Sequence, residues 1–306
     1  KVAKYIVKRI FSAIITIWFI LTLTFILMNS IPGDPFSHGK ALQPEVEAAV
    51  KAKYGLDKPL FEQYLTYLKN YMHGDFGVSF KKIGLTTNQI IGDGFPYSLK
   101  IGAWSSLFVI VVGISFGILS ALKQNKIPDR IMMVVSTLGS TIPSFVFATL
   151  FLYVFNGKLG WVPAFGAGTW KHYIGPVLCI GMFSLAYVTR LTRTSVLDVL
   201  QQDYIRTARA KGLSERTVIV KHALRNALIP VVTYLGPMIA GLITGSFVVE
   251  KVFGIAGIGS LFTTSITNRD YTLIMGITVF FGIFIVISTL LVDILYAFID
   301  PRIKYD

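Results

Sequence analysis

Of the 306 residues, 53% are hydrophobic and only 15% charged, with a mean hydropathy of +0.64. A soluble domain ordinarily carries about 25% charged residues, and here the apolar residues fall in long blocks, so composition argues against a soluble globule and for a membrane protein. The net charge of +13 sits at the ends of those blocks, which fits lipid headgroups or a cytoplasmic partner better than nucleic acid, and the single cysteine, Cys179, cannot form an internal disulfide or a Cys/His metal site.

The chain opens with Lys1, Lys4, Lys8 and Arg9. An uncharged stretch from Ile10 to Met28 follows, long enough to span a bilayer. No small-x-small pattern comes after it, and Asn29 to Gly33 reads as a helix exit, so a spanning helix is expected rather than a cleaved leader. Six spans are predicted, at 10–31, 99–122, 131–155, 174–196, 227–249 and 273–298. All should be helical, because hydrocarbon supplies no partner for free backbone groups. The fold class expected is an all-α integral membrane protein.

Between the first two spans, residues 32–98 form a long segment with seven basic and seven acidic residues. Within it, Leu60, Phe61, Tyr64, Leu65 and Leu68 make a helical stripe, read as a small helix packed on the outer face of the bundle. Pro143 interrupts the third span and predicts a kink. Gly241 and Gly245 form a small-xxx-small pair expected to pack helices. Asp293, near the end of the sixth span, is expected to be a structural pair or a snorkelled anchor.

Lys and Arg counts set the orientation. The N-terminal flank, the 123–130 connection (Lys123, Lys126, Arg130), the connection from Arg190 to Arg225 and the tail (Arg302, Lys304) are the basic side. Both termini, and the tail at 299–306, are therefore expected in the cytoplasm, and an even number of spans requires the two termini to share a side. Arg190 and Arg193 are expected to mark the membrane boundary, and His222 to pack rather than titrate.

The connection between spans four and five is the most informative stretch. It reads Asp203-Tyr204-Ile205-Arg206-Thr207-Ala208-Arg209-Ala210-Lys211-Gly212-Leu213-Ser214. Asp203 suits a helix N-cap, Gly212 a left-handed closing position, and Ser214 the cap of a second helix with Glu215 in its first turn. The spacing predicts a short helix, a tight turn and a helix leading into span five. Ile205, Ala208 and Gly212 share one face, where small side chains would let another surface approach, and Arg206, Arg209 and Lys211 could pair with its acids.

This segment resembles the coupling motif of ABC importer permeases, with Gly212 on the motif glycine and Arg206, Thr207 and Ala208 on its E-A-A positions. Arg206 replaces the glutamate, His222 falls on the isoleucine and Arg225 on the proline. The peptide, dipeptide and nickel branch matches more closely, since it continues as His222-Ala-Leu-Arg-Asn-Ala-Leu-Ile-Pro230 does here. The resemblance also takes in Pro32-Gly-Asp-Pro35, Tyr54 to Leu60, Gly74 to Gly77, Glu250 to Gly259, Asn268 to Tyr271, Asp293 to Tyr296 and Ile299 to Arg302, with Ala256 where the family often has proline. It is nearest to the oligopeptide members.

The resemblance implies a type I ABC importer permease with a five-helix core at 99–298 and a coupling helix at 203–213. It implies a second homologous permease, two ATPases gripping the coupling helices, an external peptide-binding lipoprotein and a peptide substrate. ATP and Mg would be handled by the ATPases. This chain has no G-x-x-x-x-G-K-[ST] loop and is expected to bind no cofactor and to perform no catalysis. Tyr204 to Ser214 are the candidate ATPase contacts. Polar pathway candidates are Ser144, Thr233, Tyr234, Thr244 and Ser246. Dipeptide or nickel import is the alternative within the class. An ATP-independent channel or secondary transporter is the alternative outside it, and would call for an intramembrane charge relay or broken-helix ion site.

Overall fold

The computed structural model describes residues 2–30, 45, 52, 58–82 and 84–299, with side chains from Ile6 to Val292. The readings made at Pro32–Pro35, Tyr54–Asp57, the Asp293 side chain and residues 300–306 lie outside these. The described chain is helical, with one isolated bridge between Val78 and Thr86. The helices are α1 (Val2–Ser30), α2 (Leu60–Met72), α3 (Thr87–Leu122), α4 (Ile127–Thr141), α5 (Ser144–Lys158), α6 (Lys171–Leu200), α7 (Asp203–Ala210), α8 (Ile229–Ile243), α9 (Phe247–Val252), α10 (Ile258–Asn268) and α11 (Tyr271–Ile299). Single π-helical stretches interrupt α3 at Val109–Gly113 and end α5 at Leu152–Lys158.

Five stretches are long and apolar enough to cross a membrane: Ile6–Ser30, Thr87–Leu122, Lys171–Leu200, Ile229–Val252 and Tyr271–Val292. The sixth candidate is the pair α4 and α5, bent by 108°. Pro143 therefore breaks the span where a kink was expected. Proline has no N–H to donate and forces the residue before it out of the helical region. Ile142 accordingly sits at ψ 122°.

The described residues form two compact units, residues 1–98 with 256–306, and residues 99–255. In the first, Leu21 and Phe25 of α1 pack with Tyr67 of α2 and Val279 of α11. Helix α2 matches expectation, and its stripe does so in part. Tyr64, Tyr67, Leu68 and Tyr71 pack inward, whereas Leu60, Phe61 and Leu65 are exposed. The Tyr64 hydroxyl lies 2.7 Å from Thr22 Oγ1, so polar contacts help choose the packed face. Helix α3 begins at Thr87, twelve residues before the expected span, and its first turns join Ile90 and Ile91 to Ile258, Leu273 and Ile277. Asp270 is 1% exposed. It accepts from the Ser79 hydroxyl, from Phe80 N at 3.2 Å and from Leu273 N at 3.4 Å, tying the 79–80 loop to the start of α11.

The second unit is organised on α6. Leu185 and Val188 meet Val109 of α3 and Val231, Met238 and Leu242 of α8. A Cβ on Gly102 would sit 2.5 Å from the Leu242 carbonyl oxygen, so α3 and α8 cross backbone to backbone there. The Gly241/Gly245 pair does not do this within the described chain. A Cβ on Gly241 would meet nothing, and Gly245, at φ 80°, lies past the end of α8.

At one end of α6, Asp129 is 3% exposed. Its carboxylate accepts both Arg193 Nε and Nη2 at 2.9 Å, the Ser120 hydroxyl, and Asn125 N at 2.8 Å. Arg193 is thus a structural ion-pair partner. Every acceptor position on the acid is used, which is the condition under which a buried pair holds helices together. Replacing Asp129 by Ala strands the guanidinium. D129A should lose about 3–5 kcal/mol of stability by thermal unfolding in detergent, and D129A/R193M should recover part of it. G102V should destabilise by about 1–3 kcal/mol in the same assay.

Candidate functional site

Residues 200–227 fold back on themselves as one small cluster. Helix α7 runs Asp203–Ala210, starting one residue earlier than a cap at Asp203 would give, because Gln202 holds the N-cap position and Asp203 lies in the first turn. Gly212 closes the helix at φ +78°, and Gly212 N donates to Arg209 O at 2.9 Å. Ser214 caps the following turn, Glu215–Thr217, accepting from Thr217 N. A π-helical stretch, Val218–Ala223, and the turn Leu224–Ala227 then lead to α8.

Ile205 and Ala208 are buried against Val218 and Ala223, with Val199 and Leu200 packed alongside. The small face of α7 therefore packs on its own chain, and of the expected trio only Gly212 is exposed. Tyr204, Arg206, Thr207, Arg209, Ala210 and Lys211 form the outward face, continued by Leu213 and Ser214. The Asn226 amide donates to the Tyr204 hydroxyl at 2.9 Å, fixing the phenol against the connection to α8.

Not all the cations are available to a partner. Arg209 donates to both Glu215 oxygens, at 3.1 and 2.7 Å, stapling α7 to the turn beyond Gly212. This bonding holds the Glu215 carboxyl below its usual range and pushes Arg209 up. The staple is therefore complete above the ordinary carboxylate range and opens only as pH falls through the lowered Glu215 value. Arg206 lies 3.8 Å from Asp203, both well exposed, a contact of little energetic weight. His222 is half-buried in the π-helical stretch beside this cluster.

The pathway candidates do not form one group. Thr233 Oγ1 donates to Ile229 O at 3.0 Å within α8, and Thr244 Oγ1, at the C-cap of α8, donates to Gly241 O at 2.6 Å. Ser246 caps α9, accepting from Val249 N at 3.2 Å. Tyr234 packs on Tyr187 with ring centroids 4.3 Å apart and the planes tilted by 35°. Ser144 alone lines a cavity of about 420 Å³ at the α4–α5 break, with Ser140, Thr141, Pro143, Cys179 and Met182. Two features escaped sequence reasoning: the Asp129 node, whose acid and arginine lie 64 residues apart, and Glu250, fully buried in α9. Neither leaves a local pattern.

This arrangement defines a class: a multi-pass helical membrane protein in which a rigid, one-sided cationic helix hangs between two spans. Its family follows from comparison. The family described as "Binding-protein-dependent transport system inner membrane component" matches residues 113–305, and the corresponding N-terminal family matches residues 2–102. The chain belongs to this family, as a membrane permease subunit of ABC importers rather than an enzyme. It is similar to the oligopeptide transport system permease protein OppB of Haemophilus influenzae, 46% identical over 99% of both chains, and to OppB of Salmonella typhimurium, 43% identical over 99% of both. The dipeptide transport system permease protein DppB of Bacillus subtilis is 44% identical, over 99% of this chain and 98% of the relative. Among solved structures, the inward-facing MetNI methionine ABC transporter aligns with a TM-score of 0.55 at 15% identity, covering 69% of this chain and 97% of that one. An amino acid ABC transporter aligns at 0.54 and 17% identity, over 69% and 94%. These likenesses establish the type I importer permease fold.

The anchoring of α7 generates a local test. A208W forces a large ring into the packed face and should destabilise by about 1–3 kcal/mol. Hydrogen exchange at 203–210 should rise in A208W, while the same substitution at exposed Ala210 should leave protection unchanged.

Proposed function

We propose that this permease is one half of the translocation pathway of an ATP-driven oligopeptide importer in a bacterial cytoplasmic membrane, and that α7 is the handle its ATPases grip. One observation carries the coupling role: α7 is clamped on its inner face by Ile205 and Ala208 and presents Tyr204, Thr207 and cations on its outer face. A helix fixed on one side and free on the other transmits a displacement instead of absorbing it. The Arg209–Glu215 staple and the helical segments from Glu215 to Ala227, joined to α8 by a single turn residue, Leu228, would carry that displacement into a span. The outward residues Tyr204, Arg206, Thr207, Ala210, Lys211, Gly212, Leu213 and Ser214 form the contact surface. Ile205, Ala208 and Arg209 hold it in shape.

The basic connections favour both termini in the cytoplasm, with the α4–α5 pair counting as one crossing and six crossings in all. The segment between α1 and α3 then lies outside, towards a substrate-delivering lipoprotein. A second homologous permease and two ATPases complete the assembly, and ATP with Mg is bound by the ATPases. ATP closure of the ATPase pair would move the handles and switch the pathway between inward and outward access. The substrate class rests on relatives named as oligopeptide permeases. Dipeptide import is the second reading, favoured by the similarity to a dipeptide permease.

The test uses the full complex in proteoliposomes. Proline cannot adopt the positive φ of Gly212. G212P should abolish peptide uptake while the chain still inserts and co-purifies with the second permease. R206E/K211E should lower ATPase co-purification at least tenfold. Wild-type uptake in G212P would remove α7 from the coupling role.

A further inference from the structure

We propose that the cavity at the α4–α5 break binds the carboxylate end of the transported peptide, with Arg190 as the anion-recognising residue and Ser140 as its steering partner. This rests on the peptide-import reading above and assigns a substrate group to a place in the pathway.

Two contacts set the relation of α4 to α6. A Cβ on Gly139 would lie 3.1 Å from the Met182 carbonyl oxygen, and Asp129 meets Arg193 at 2.9 Å. The helices therefore run antiparallel, with 139 level with 182 and 129 level with 193. On that register Arg190 starts about 12 Å from the level of Ser140, at about 1.5 Å per residue. Its Nη1 nevertheless donates to Ser140 Oγ at 3.3 Å. The side chain must be stretched back along α6 towards the helix N-terminus, the direction in which helical side chains lean. Arg193, one turn away, serves the opposite end. Arginines three residues apart thus do different work, one closed on a carboxylate and one extended to the rim of the cavity.

Arg190 is half-buried, and among the described residues no carboxylate pairs with it. One hydroxyl occupies one of its five donors. A cation held inside a span on such terms is suited to an anion that arrives and leaves, and guanidinium geometry matches a carboxylate bidentately. The cavity lining itself is uncharged and mixed, with Ser140, Thr141 and Ser144 set among Ile142, Pro143, Phe147, Met182 and Phe183. Pro143 removes the N–H that the Gly139 carbonyl would accept, and the carbonyls of Ser140 and Thr141 lie beyond the end of the α4 ladder. The hydroxyls of Thr141 and Ser144 border the same space, opposite Met182 and Phe183. Main-chain groups of any peptide can pair with such a wall, and every unmodified linear peptide ends in one carboxylate whatever its sequence. The site would recognise what all substrates share.

The experiment compares uptake of penta-alanine bearing a free C-terminus with uptake of its C-terminal amide, in proteoliposomes containing the full complex. The binding protein is the same throughout, so its own preference cancels between permease variants. The acid-to-amide ratio of R190Q should fall at least tenfold relative to wild type, and R190K should lie between. An unchanged ratio in R190Q, with both peptides slowed equally, overturns the assignment while leaving peptide import standing. No uptake of either peptide by the wild-type complex overturns the peptide-import reading instead. Should R190Q fail to co-purify with its partners, S140A removes only the steering hydroxyl and must lower the ratio about threefold. An unchanged ratio in S140A then overturns the proposal.

Discussion

The Asp129–Arg193 node governs how the second unit is built. Two guanidinium donors, a serine hydroxyl and a backbone amide converge on one buried carboxylate. They join the end of α3, the 123–126 turn, the start of α4 and the last third of α6. An intramembrane or interfacial charge is tolerated only when its partners are complete. Completing them here forces the three helices into one register. The neighbouring packing obeys that register, since a Cβ on Gly117 would lie 2.7 Å from the Thr189 carbonyl oxygen, allowing α3 to approach α6 closely.

From that node the chain runs directly into the proposed handle. Helix α6 continues to Leu200, and α7 begins three residues later, resting on Val199, Leu200, Val218 and Ala223. The handle is thus mounted on the most firmly registered helix of the unit. Its mechanical quality comes from the apolar underside, its chemical readability from the exposed cations, and its closed geometry from Gly212 and the Arg209–Glu215 staple. Transmission by a rigid body needs all three.

The break at Pro143 uses the same physics in the opposite sense. Most of each span satisfies its backbone internally, as hydrocarbon demands. At 139–144 the ladder is interrupted beside a cavity lined by Ser140, Thr141 and Ser144, the setting in which irregular backbone is tolerated at membrane depth. Arg190 reaches towards that opening while Arg193 is withdrawn from it. One helix face thereby supplies a permanent ion pair and a reserved cation.

The apolar blocks, the basic connections and the Asp203–Ser214 motif were legible from residue order alone. They depend on length, local periodicity and capping chemistry, which operate over a few residues. The helix over 60–72, the left-handed Gly212 and the Ser214 cap were all visible for that reason. Other features were settled only by tertiary packing. The stripe on α2 turned because Tyr64 and Tyr67 found partners on α1. Ala208, small enough to admit another protein, was covered instead by Val218 and Ala223. Arg190 and Arg193 are indistinguishable as neighbours in sequence, and their separate tasks follow from partners 50 and 64 residues away. Periodicity announces which faces are apolar. Which neighbour covers each face, and which charge is left over, depends on contacts between distant segments that no local pattern records.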